Sequence, residues 1–372
     1  MTSTRLTIGV DARAAAEVPA GRGRYVRELV RELIALDEAD VVLYGRRPWP
    51  LPGSDWRLVA TPDPLWPVHA GLAAAGRCDV VLATNSFLMA AAAGPRSVAM
   101  VHDLFGFDRR FGAPAGGAGE RLTLPVAARR AGGFVCDSEA TRDDLVDRFP
   151  RLAGRTAVVP LGVHPRFAGA VAGDVPARHG LDGAYVLTVG TREPRKNLAR
   201  LLRAFVELPI ELRERFTLAV AGQVGWGDEE TDRLASTHPD IALLGYVDDD
   251  DLPALYAGAA TFAFPSLAEG FGLPVIEAMA AGTPVLTSNR SSLVEVAGDA
   301  ARLVDPYEVE SIRAGLAELL SDTALREGLA RRGRERAAEF TWTRTARETL
   351  DYLRSVTSTL AAGKSRDRAV SS

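Results

Sequence analysis

The stretch from Phe264 to Pro284, FPSLAEGFGLPVIEAMAAGTP, contains the pattern that decides the fold. An apolar run at residues 260–264 predicts a buried strand, a glycine-bearing loop follows it, and residues 275–281 predict a helix that Gly282 ends. Pro274 suits the first helical position, because its ring fixes φ and its missing N–H would have no partner there. An apolar segment after the helix predicts the next strand.

The glycine loop and the helix start predict an anion-binding site. The first N–H groups of a helix have no partner inside it, and the helix dipole adds partial positive charge. Gly270 and Gly272 allow a ligand to approach the backbone closely. Glu269 precedes this site, and Glu277, expected in the first helical turn, lies eight residues after Glu269. Because carboxylates repel phosphate, we expect the two acids to bind neutral hydroxyl groups of a sugar or ribose.

Each acid also has a plainer interpretation when it is considered alone. Glu277 would then only complement the helix dipole, and Glu269 would be a solvated loop residue. The combination of strand, glycine loop, helix start and paired acids favours a functional site.

Composition bounds the class of protein. The 372 residues predict two domains, and 47% hydrophobic with 25% charged residues is ordinary for a globular protein. A net charge of -4 argues against a general nucleic-acid binder. Cys78 and Cys136 make no disulfide framework, which favours a reducing cytoplasm. The first residues do not resemble a signal peptide, and no apolar run is as long as a membrane span.

The first part of the chain predicts the start of a doubly wound α/β unit. A buried strand at residues 5–10 is followed by a glycine-containing loop at 11–24 and a helix at 25–36. Residues 48–67 are rich in Pro and Trp and are expected to be irregular, and Ser138 is predicted to cap a helix. Further strands are predicted at residues 41–44, 79–83, 97–101, 133–136 and 157–160, and helices at 121–130 and 139–148.

The second part predicts another unit of the same kind. Residues 161–183 have glycines, prolines and no periodicity, so we place the interdomain linker there. The following strands are largely apolar, as in parallel sheets covered on both faces. Two such units would leave a ligand-binding cleft between the carboxyl ends of their sheets. Strands are predicted at residues 185–189, 216–221, 241–247, 260–264 and 284–287, and helices at 198–208, 252–257, 275–281, 309–320, 326–339 and 343–356.

The segment GTREPRKN, from Gly190 to Asn197, is a second candidate site. It follows a predicted strand and opens a helix. Arg195 offers a planar fork and Lys196 a point charge, a combination that suits a diphosphate. The alternative is a solvated basic turn in which Asn197 caps the helix.

The first domain contributes fewer candidates. His102 follows a predicted strand and could touch a sugar, although a single histidine is also common as a structural residue. Asp103 could instead cap the next segment. Gly21 and Gly23 could let the first loop approach a phosphate or the acceptor, or they could form a flexible turn.

Several motifs are absent from the sequence. The glycines after Ala221 lack the G-x-G-x-x-G order, so we do not expect NAD. No His, Cys and Asp residues have metal-ligand spacing, and no G-x-S-x-G motif occurs. We therefore expect neither a cofactor nor a metal ion.

Taken together, these motifs closely resemble glycosyltransferase family 4. The resemblance is carried by GTREPRKN, the glycines after LAVAG, LGYV and above all FPSLAEGFGLPVIEAMAAGTPVLTSNRSSLVEVAGDAARLVDP. In the first domain it is carried by VDAR, GRGRYVRELVREL, VHDLFGF, CDSEAT and VPLGV. The resemblance implies a GT-B fold, in which two Rossmann-like domains face a cleft and the second holds a nucleotide sugar. It also implies retention of anomeric configuration without a metal ion.

The implied domain boundaries follow from that fold. An acceptor-side domain would span residues 1–163 and a nucleotide-sugar-binding domain residues 184–340. A helix at residues 341–360 would cross back to pack on the first domain. Residues 361–372 would form a disordered tail.

The resemblance also implies roles for particular residues. Glu269 would contact the hydroxyls of the donor sugar, Glu277 would bind the ribose hydroxyls, and His102 would lie against the transferred sugar. Arg195 and Lys196 would hold the diphosphate. The remaining donor-site residues would be Gly23, Gly190, Val247 through its backbone, Gly270, Phe271, Gly272 and Leu273.

Two departures from the family pattern affect these assignments. The first glycine loop commonly has a small apolar residue between its glycines, and here Arg22 occupies that position. Some relatives have an arginine directly after the glycine that ends the first strand of the second domain, but Thr191 follows Gly190. The sequence therefore leaves open whether Arg192 or Arg195 takes that role.

The expected activity is transfer of a hexose from a nucleoside diphosphate sugar to an acceptor hydroxyl, with the resemblance favouring GDP-mannose and polysaccharide or glycolipid synthesis. The alternatives are a UDP-hexose-dependent transferase, a non-catalytic protein that binds sugar nucleotides, and an epimerase. The acceptor would be a glycan, a lipid-linked sugar or a small molecule. Five arginines could meet a membrane surface at the inner face of the membrane, or they could form a solvated face: Arg109, Arg110, Arg121, Arg129 and Arg130.

Overall fold

The computed structural model describes residues 5–18, 21–51, 54–108, 110–111, 117–227 and 229–370, with side chains described through Ala362. Its contacts divide the chain into two units. The first comprises Met1–Gly162 and Thr341–Ser372, and the second comprises Val163–Phe340. Arg109, one of the five arginines considered for a membrane surface, lies outside the described residues.

The first unit is built on a parallel sheet. Within its described residues the strand order is β3-β2-β1-β4-β5-β6-β7. β4, β5 and β6 are buried along their whole length, as expected for parallel strands covered on both faces. The strands are β1 (Leu6–Asp11), β2 (Ala39–Gly45), β3 (Asp55–Leu58), β4 (Val80–Ala83), β5 (Ser97–Val101), β6 (Gly133–Cys136) and β7 (Thr156–Val158).

Helices cover this sheet and bury its apolar side chains. Trp66, Leu124 and Phe134 are fully buried in one core cluster. The predicted cap of α6 is confirmed, because the Ser138 Oγ accepts a hydrogen bond from the Thr141 N–H at 3.1 Å. The helices are α1 (Arg13–Glu17), α2 (Arg22–Ala35), α3 (Trp66–Ala75), α4 (Phe87–Ala93), α5 (Gly117–Arg130) and α6 (Glu139–Arg148).

The second unit has its own parallel sheet. Within its described residues the order is β10-β9-β8-β11-β12-β13. The chain order reverses between β8 and β11, which pair through Thr261 opposite Val186 and Phe262 opposite Leu187. The strands are β8 (Tyr185–Val189), β9 (Thr217–Ala221), β10 (Ile241–Gly245), β11 (Thr261–Phe264), β12 (Val285–Ser288) and β13 (Ala301–Val304).

The helices of the second unit pack on both sides of that sheet. Leu202, Phe205 and Leu316 are fully buried in its core cluster. The helices are α7 (Val175–Arg178), α8 (Leu198–Val206), α9 (Ile210–Arg213), α10 (Glu229–Thr237), α11 (Leu252–Gly258), α12 (Leu273–Ala281), α13 (Ser292–Ala297), α14 (Val309–Ser321) and α15 (Thr323–Ala337).

The last helix, α16 (Trp342–Val370), belongs to the first unit. Thr345 Oγ1 donates to the Pro160 carbonyl at 2.8 Å, and the Tyr352 hydroxyl donates to the Arg155 carbonyl at 2.6 Å. The helix continues ten residues beyond the predicted boundary at residue 360, into the segment for which the sequence predicts a disordered tail. Ala361 and Ala362 are strong helix formers, and the polar residues after them contain no proline that would end the helix.

The predicted linker at residues 161–183 is also wrong for most of its length. Residues from Val163 onward belong to the second unit. Phe167 is fully buried there, edge-on to Tyr256 at 5.8 Å between ring centroids. His179 Nε2 lies 2.9 Å from Asp251 Oδ2. These contacts anchor an irregular segment whose glycines and prolines had suggested a linker.

Candidate active site

The two segments singled out by the sequence lie at one edge of the second sheet. The loop after β8 carries Arg195 and Lys196, and the loop after β11 carries Glu269. Because β8 and β11 are adjacent parallel strands at the point where chain order reverses, their following loops lie side by side. Open α/β sheets bind ligands at such a point.

Arg195, Lys196 and Glu269 form a buried cluster. Arg195 Nη1 donates to Glu269 Oε2 at 2.5 Å, and Lys196 Nζ donates to Glu269 Oε1 at 2.9 Å. The three side chains are only 14%, 12% and 8% exposed. On the other side, Arg195 Nη2 donates to Glu193 Oε1 at 2.5 Å. Both cations are therefore balanced by carboxylates.

Charge and burial set the ionisation of this cluster. Burial would raise the pKa of Glu269, but the charges of Arg195 and Lys196 and the hydrogen bonds to the carboxylate outweigh it and lower the pKa to about 2. Glu269 is therefore ionised at neutral pH. Burial lowers the pKa of Lys196, an effect that Glu269 opposes and Arg195 reinforces.

Glycines make room for this arrangement. Gly190 has φ +149°, and a Cβ on it would lie 3.2 Å from Lys196 Cε. Gly222 has φ +152°, and a Cβ on it would lie 1.9 Å from the Gly190 carbonyl oxygen. The ammonium of Lys196 also lies 4.6 Å from the centre of the Phe264 ring. The structure thus gives Gly190 a packing role beside Lys196.

Asn197 joins the two loops instead of capping α8 with its side chain. It adopts left-handed backbone geometry with φ 60°, which asparagine tolerates. Its Nδ2 donates to the carbonyls of Pro265 at 2.9 Å and Pro306 at 2.7 Å. The alternative of a merely solvated turn does not fit a side chain that is buried and bonded in this way.

Arg192 bonds a residue outside the cluster of Arg195, Lys196 and Glu269. Its Nη2 donates to Asp232 Oδ1 at 2.6 Å, and its backbone N–H donates to the Gln223 carbonyl at 2.9 Å. Arg195, and not Arg192, is the arginine that lies beside Glu269 and Lys196.

The loop after β11 leads directly into α12. Gly272, at φ +112°, precedes the first helical residue Leu273. Phe271 is buried and lies edge-on to Phe340, with ring centroids 5.7 Å apart. Ser292 Oγ lies 2.8 Å from the carbonyl oxygens of both Glu269 and Phe271. These contacts hold Gly270 and the rest of the loop against the helix start.

Glu277 lies one residue further along α12 than expected, beyond its first turn. It is the fifth residue of the helix, and α12 has no acidic residue in its first turn. The prediction was wrong because Leu273, not a later residue, begins the helix. Glu277 is 4% exposed, and the Tyr256 hydroxyl donates to its Oε2 at 3.3 Å. Val247, which follows β10, is 5% exposed.

In the first unit, His102 follows β5 and is paired with Asp137. His102 Nδ1 lies 2.7 Å from Asp137 Oδ2, and Tyr25 lies edge-on to the imidazole at 4.7 Å. Burial raises the pKa of Asp137, and His102 opposes that shift. Asp137 was not singled out from the sequence, although it lies in the quoted CDSEAT segment. Asp103 accepts a hydrogen bond from the Phe105 N–H at 3.1 Å.

The predicted loop at residues 11–24 is replaced by α1 and the start of α2. Gly21, at φ 54°, precedes α2, whereas Gly23 is buried within its first turn. A Cβ on Gly23 would lie 1.8 Å from the Val18 carbonyl oxygen. The absence of a side chain at Gly23 therefore serves helix packing. This does not fit the alternative of a flexible turn at Gly23, and its part in ligand binding stays a prediction.

The described arginines of the suggested membrane surface have local partners. Arg110 bonds Asp108, and Arg121, Arg129 and Arg130 donate to the carbonyls of Gly106, Pro125 and Ala91. No helix among the described residues is long and apolar enough to cross a membrane. Within the same described residues, no group of three or more His, Cys, Asp or Glu side chains is placed to hold a metal ion.

Asp11, at the end of β1, gives a testable pH dependence. Burial raises its pKa to about 6, although a hydrogen bond from the Arg13 N–H and the charge of Arg13 oppose the shift. The stability that this raised pKa contributes is present below pH 3.8 and is lost as pH rises through 6. We expect Asp11→Asn to raise the free energy of unfolding by about 3 kcal/mol at pH 7.5 and by under about 1 kcal/mol at pH 4.

Thermal denaturation of the Asp11→Asn protein at the two pH values measures this difference. Asp143→Asn, at an exposed carboxylate, serves as the control. An equal effect of Asp11→Asn at both pH values would contradict the assignment.

Two family models match the chain. The model described as Glycosyltransferase Family 4 matches residues 19–167, and the model described as Glycosyl transferases group 1 matches residues 176–336. Between them they account for most of both units.

Individual relatives agree with these matches. The chain is 45% identical over 170 residues to O-antigen chain mannosyltransferase B of Escherichia coli. The matched segment covers 45% of this chain and 45% of that protein. It is 31% identical over 228 residues to the MMP alpha-(1→4)-mannosyltransferase of Mycolicibacterium hassiacum, 60% of this chain and 54% of that protein. The chain thus spans about half the length of these curated relatives.

Solved structures show the same architecture. Sucrose-phosphate synthase from Thermosynechococcus elongatus matches with a TM-score of 0.78 at 21% identity, covering 95% of this chain and 100% of that chain. This likeness and the two parallel sheets confirm the predicted GT-B fold class. With both family models matched in succession along the sequence, the chain belongs to glycosyltransferase family 4.

Proposed function

We propose that the protein transfers a hexose, mannose from GDP-mannose, to an acceptor hydroxyl with retention of anomeric configuration. The proposed role is polysaccharide or glycolipid synthesis. Family membership supports glycosyl transfer, and the similarity to two mannosyltransferases favours mannose as the transferred sugar. Both cysteines are buried and unpaired, which suits the reducing cytoplasm that we propose as the location.

The observation that carries this proposal is the cluster of Arg195, Lys196 and Glu269 beside the start of α12. A diphosphate leaving group needs hydrogen-bond donors and positive charge, and both cations and the helix N-terminus supply them. Glu269 pairs with both cations. We propose that the diphosphate replaces Glu269 at the cations, which frees the carboxylate to accept hydrogen bonds from the donor sugar.

The identity of residue 196 adds to this argument. Of the 44 lysines and arginines in the chain, only Lys196 and Lys364 are lysines. Nearly every other basic position is an arginine. The buried lysine in this loop therefore indicates that a compact ammonium group is needed there. This signal is present in the sequence and strengthens the assignment of Lys196 to the diphosphate.

The role proposed for Glu269 bears on the mechanism. In that role its carboxylate accepts hydrogen bonds from the hydroxyls of the donor sugar and is not a covalent nucleophile. We therefore propose attack on the same face as the leaving group, with the leaving phosphate taking the proton of the acceptor hydroxyl. The cations and the dipole of α12 would stabilise the growing charge, and one such donor contributes about 3 kcal/mol.

The other assignments complete the proposed donor site. Glu277 would bind the ribose hydroxyls, Val247 would meet the base through its backbone, and His102 would contact the transferred sugar. Charge stabilisation is assigned to side chains and helix N–H groups rather than to a metal ion. The remaining contacts would come from Gly190 and from the loop residues Gly270, Phe271, Gly272 and Leu273.

A thermal-shift screen tests the proposed donor. GDP, UDP, ADP and dTDP are compared first, followed by their sugar conjugates. A nucleotide at a hundred times its Kd stabilises the protein by about 2.7 kcal/mol, so we expect GDP and GDP-mannose to raise the midpoint by about 5–10 °C. A larger shift with UDP would contradict the choice of donor.

Product analysis tests the reaction itself. Proton NMR of the product formed from GDP-mannose should show the anomeric configuration of the donor. An inverted product would contradict retention, and binding of GDP-mannose without transfer to any of several acceptors would favour a non-catalytic protein.

A further inference from the structure

The first unit has a cavity of about 260 Å³ at the carboxyl edge of its sheet. Residues after β4 and β5 line it, together with residues from the start of α2 and from α5. Chain order in this sheet reverses between β1 and β4, so the cavity lies where such sheets bind ligands. Its polar lining includes Arg22, Asn85, His102, Asp103, Glu120 and Thr123.

The charges of this lining disfavour an anionic ligand. Arg22 is the one cation among its described residues, and its Nη2 donates to Glu120 Oε1 at 3.1 Å. Asp103 adds a second carboxylate, and Asp137 lies behind His102. A phosphate or carboxylate group placed here would meet more negative than positive charge.

Two buried acceptor atoms of the lining could each accept a hydrogen bond from a ligand. Asn85 Oδ1 and His102 Nε2 are buried and have no partner within the described part of the chain. When His102 Nδ1 donates its hydrogen bond to the Asp137 carboxylate, Nε2 is the acceptor of the neutral imidazole. Leaving such groups unsatisfied costs about 1–3 kcal/mol each, and hydroxyl groups of bound sugars would satisfy both.

We propose that this cavity binds the acceptor and selects one that ends in a neutral sugar, without a phosphate or carboxylate on the bound ring; this inference rests on the function proposed above. A hydroxyl of that sugar donates to Asn85 Oδ1, which leaves His102 Nε2 as the acceptor for the transferred sugar. The volume lies below that of pockets for drug-sized ligands, which suits one ring at the end of a longer molecule. Arg22, the departure from the family pattern, is neutralised by Glu120 and does not serve as a phosphate ligand.

The test compares two matched sugars, methyl α-mannoside and its 6-phosphate. Their Kd values are measured at pH 7.5 by ligand-observed NMR on the full chain. The carboxylates of the cavity should repel the phosphate, and the phosphorylated sugar should lose hydrogen bonds. The wild type should therefore bind the neutral sugar at least about tenfold more tightly than the 6-phosphate. Asn85→Ala should weaken its binding by about tenfold, the cost of one buried hydrogen bond.

Glu120→Gln should change the preference between the two sugars rather than abolish sugar binding. Removing the carboxylate leaves Arg22 without its charged partner, so the ratio of the two Kd values should move toward the phosphorylated sugar by about tenfold. Glu348→Gln is the matched control, because Glu348 also pairs with an arginine, Arg344, at 2.7 Å in the same unit. It should leave the ratio unchanged.

The shift in midpoint caused by GDP is recorded for every variant. Two results obtained with normal GDP shifts would overturn the inference. In the first, the wild type binds the phosphorylated sugar as tightly as the neutral sugar or more tightly; in the second, it binds neither sugar. The inference would also be overturned if the Asn85→Ala and Glu120→Gln proteins bound the two sugars as the Glu348→Gln control does. Failure of GDP to stabilise any of these proteins would instead count against the proposed function.

Discussion

A Lys196→Ala protein is expected to fold and to transfer sugar about 10²–10³-fold more slowly than the wild type. Lys196 Nζ is one of two cationic groups at the proposed diphosphate site, and it lies 2.9 Å from Glu269. Its loss removes a donor that stabilises the leaving group as negative charge grows. Glu269 keeps Arg195 as a partner, so the carboxylate is not left as an unpaired buried charge.

Steady-state kinetics with saturating GDP-mannose measure this effect. Lys364→Ala is the matched control, since it removes the one other lysine in the chain. We expect that variant to keep the wild-type rate on a water-soluble acceptor. A Lys196→Ala protein that transfers sugar at the full rate would show that the leaving group is stabilised elsewhere.

Glu269→Gln is expected to have opposite effects on stability and on nucleotide binding. Removal of the carboxylate leaves Lys196 without its charged partner in a buried site, whereas Arg195 keeps its ion pair with Glu193. Breaking such a pair typically lowers the free energy of unfolding by about 3–5 kcal/mol. GDP no longer competes with Glu269 for the cations, so its stabilising shift should be larger in the variant than in the wild type.

Transfer by the Glu269→Gln protein should nevertheless fall at least about a hundredfold, because the proposed contact to the donor sugar is weakened. Chemical denaturation, GDP thermal shifts and initial rates separate these three effects. Glu318→Gln, which breaks the exposed pair with Arg302, should change stability by under about 1 kcal/mol. Weaker GDP binding by the Glu269→Gln protein would contradict the exchange of Glu269 for diphosphate.

The fold was predictable where strands are buried. The predictions at residues 97–101, 133–136 and 185–189 coincide with β5, β6 and β8, whose apolar runs face helices on both sides. β3 was missed because three of its four residues are exposed, so no apolar run marks it. β13 was also not predicted, and three of its four residues are only half-buried.

The site was predictable as segments but not as contacts. The strand–loop–helix pattern placed Glu269, Arg195 and Lys196 near one sheet edge, since adjacent parallel strands end together. The sequence could not show that both cations bond Glu269, because those contacts join residues more than seventy positions apart. Nor could it show that His102 is held by Asp137, which lies on the neighbouring strand's end.

The most direct test of the account is a crystal structure of the protein with GDP-mannose bound. We predict phosphate oxygens within hydrogen-bond distance of Lys196 Nζ, Arg195 and the N–H groups at the start of α12, with Glu269 turned to the sugar hydroxyls. A nucleotide bound away from this edge of the sheet, with Glu269 still paired to both cations, would contradict the account.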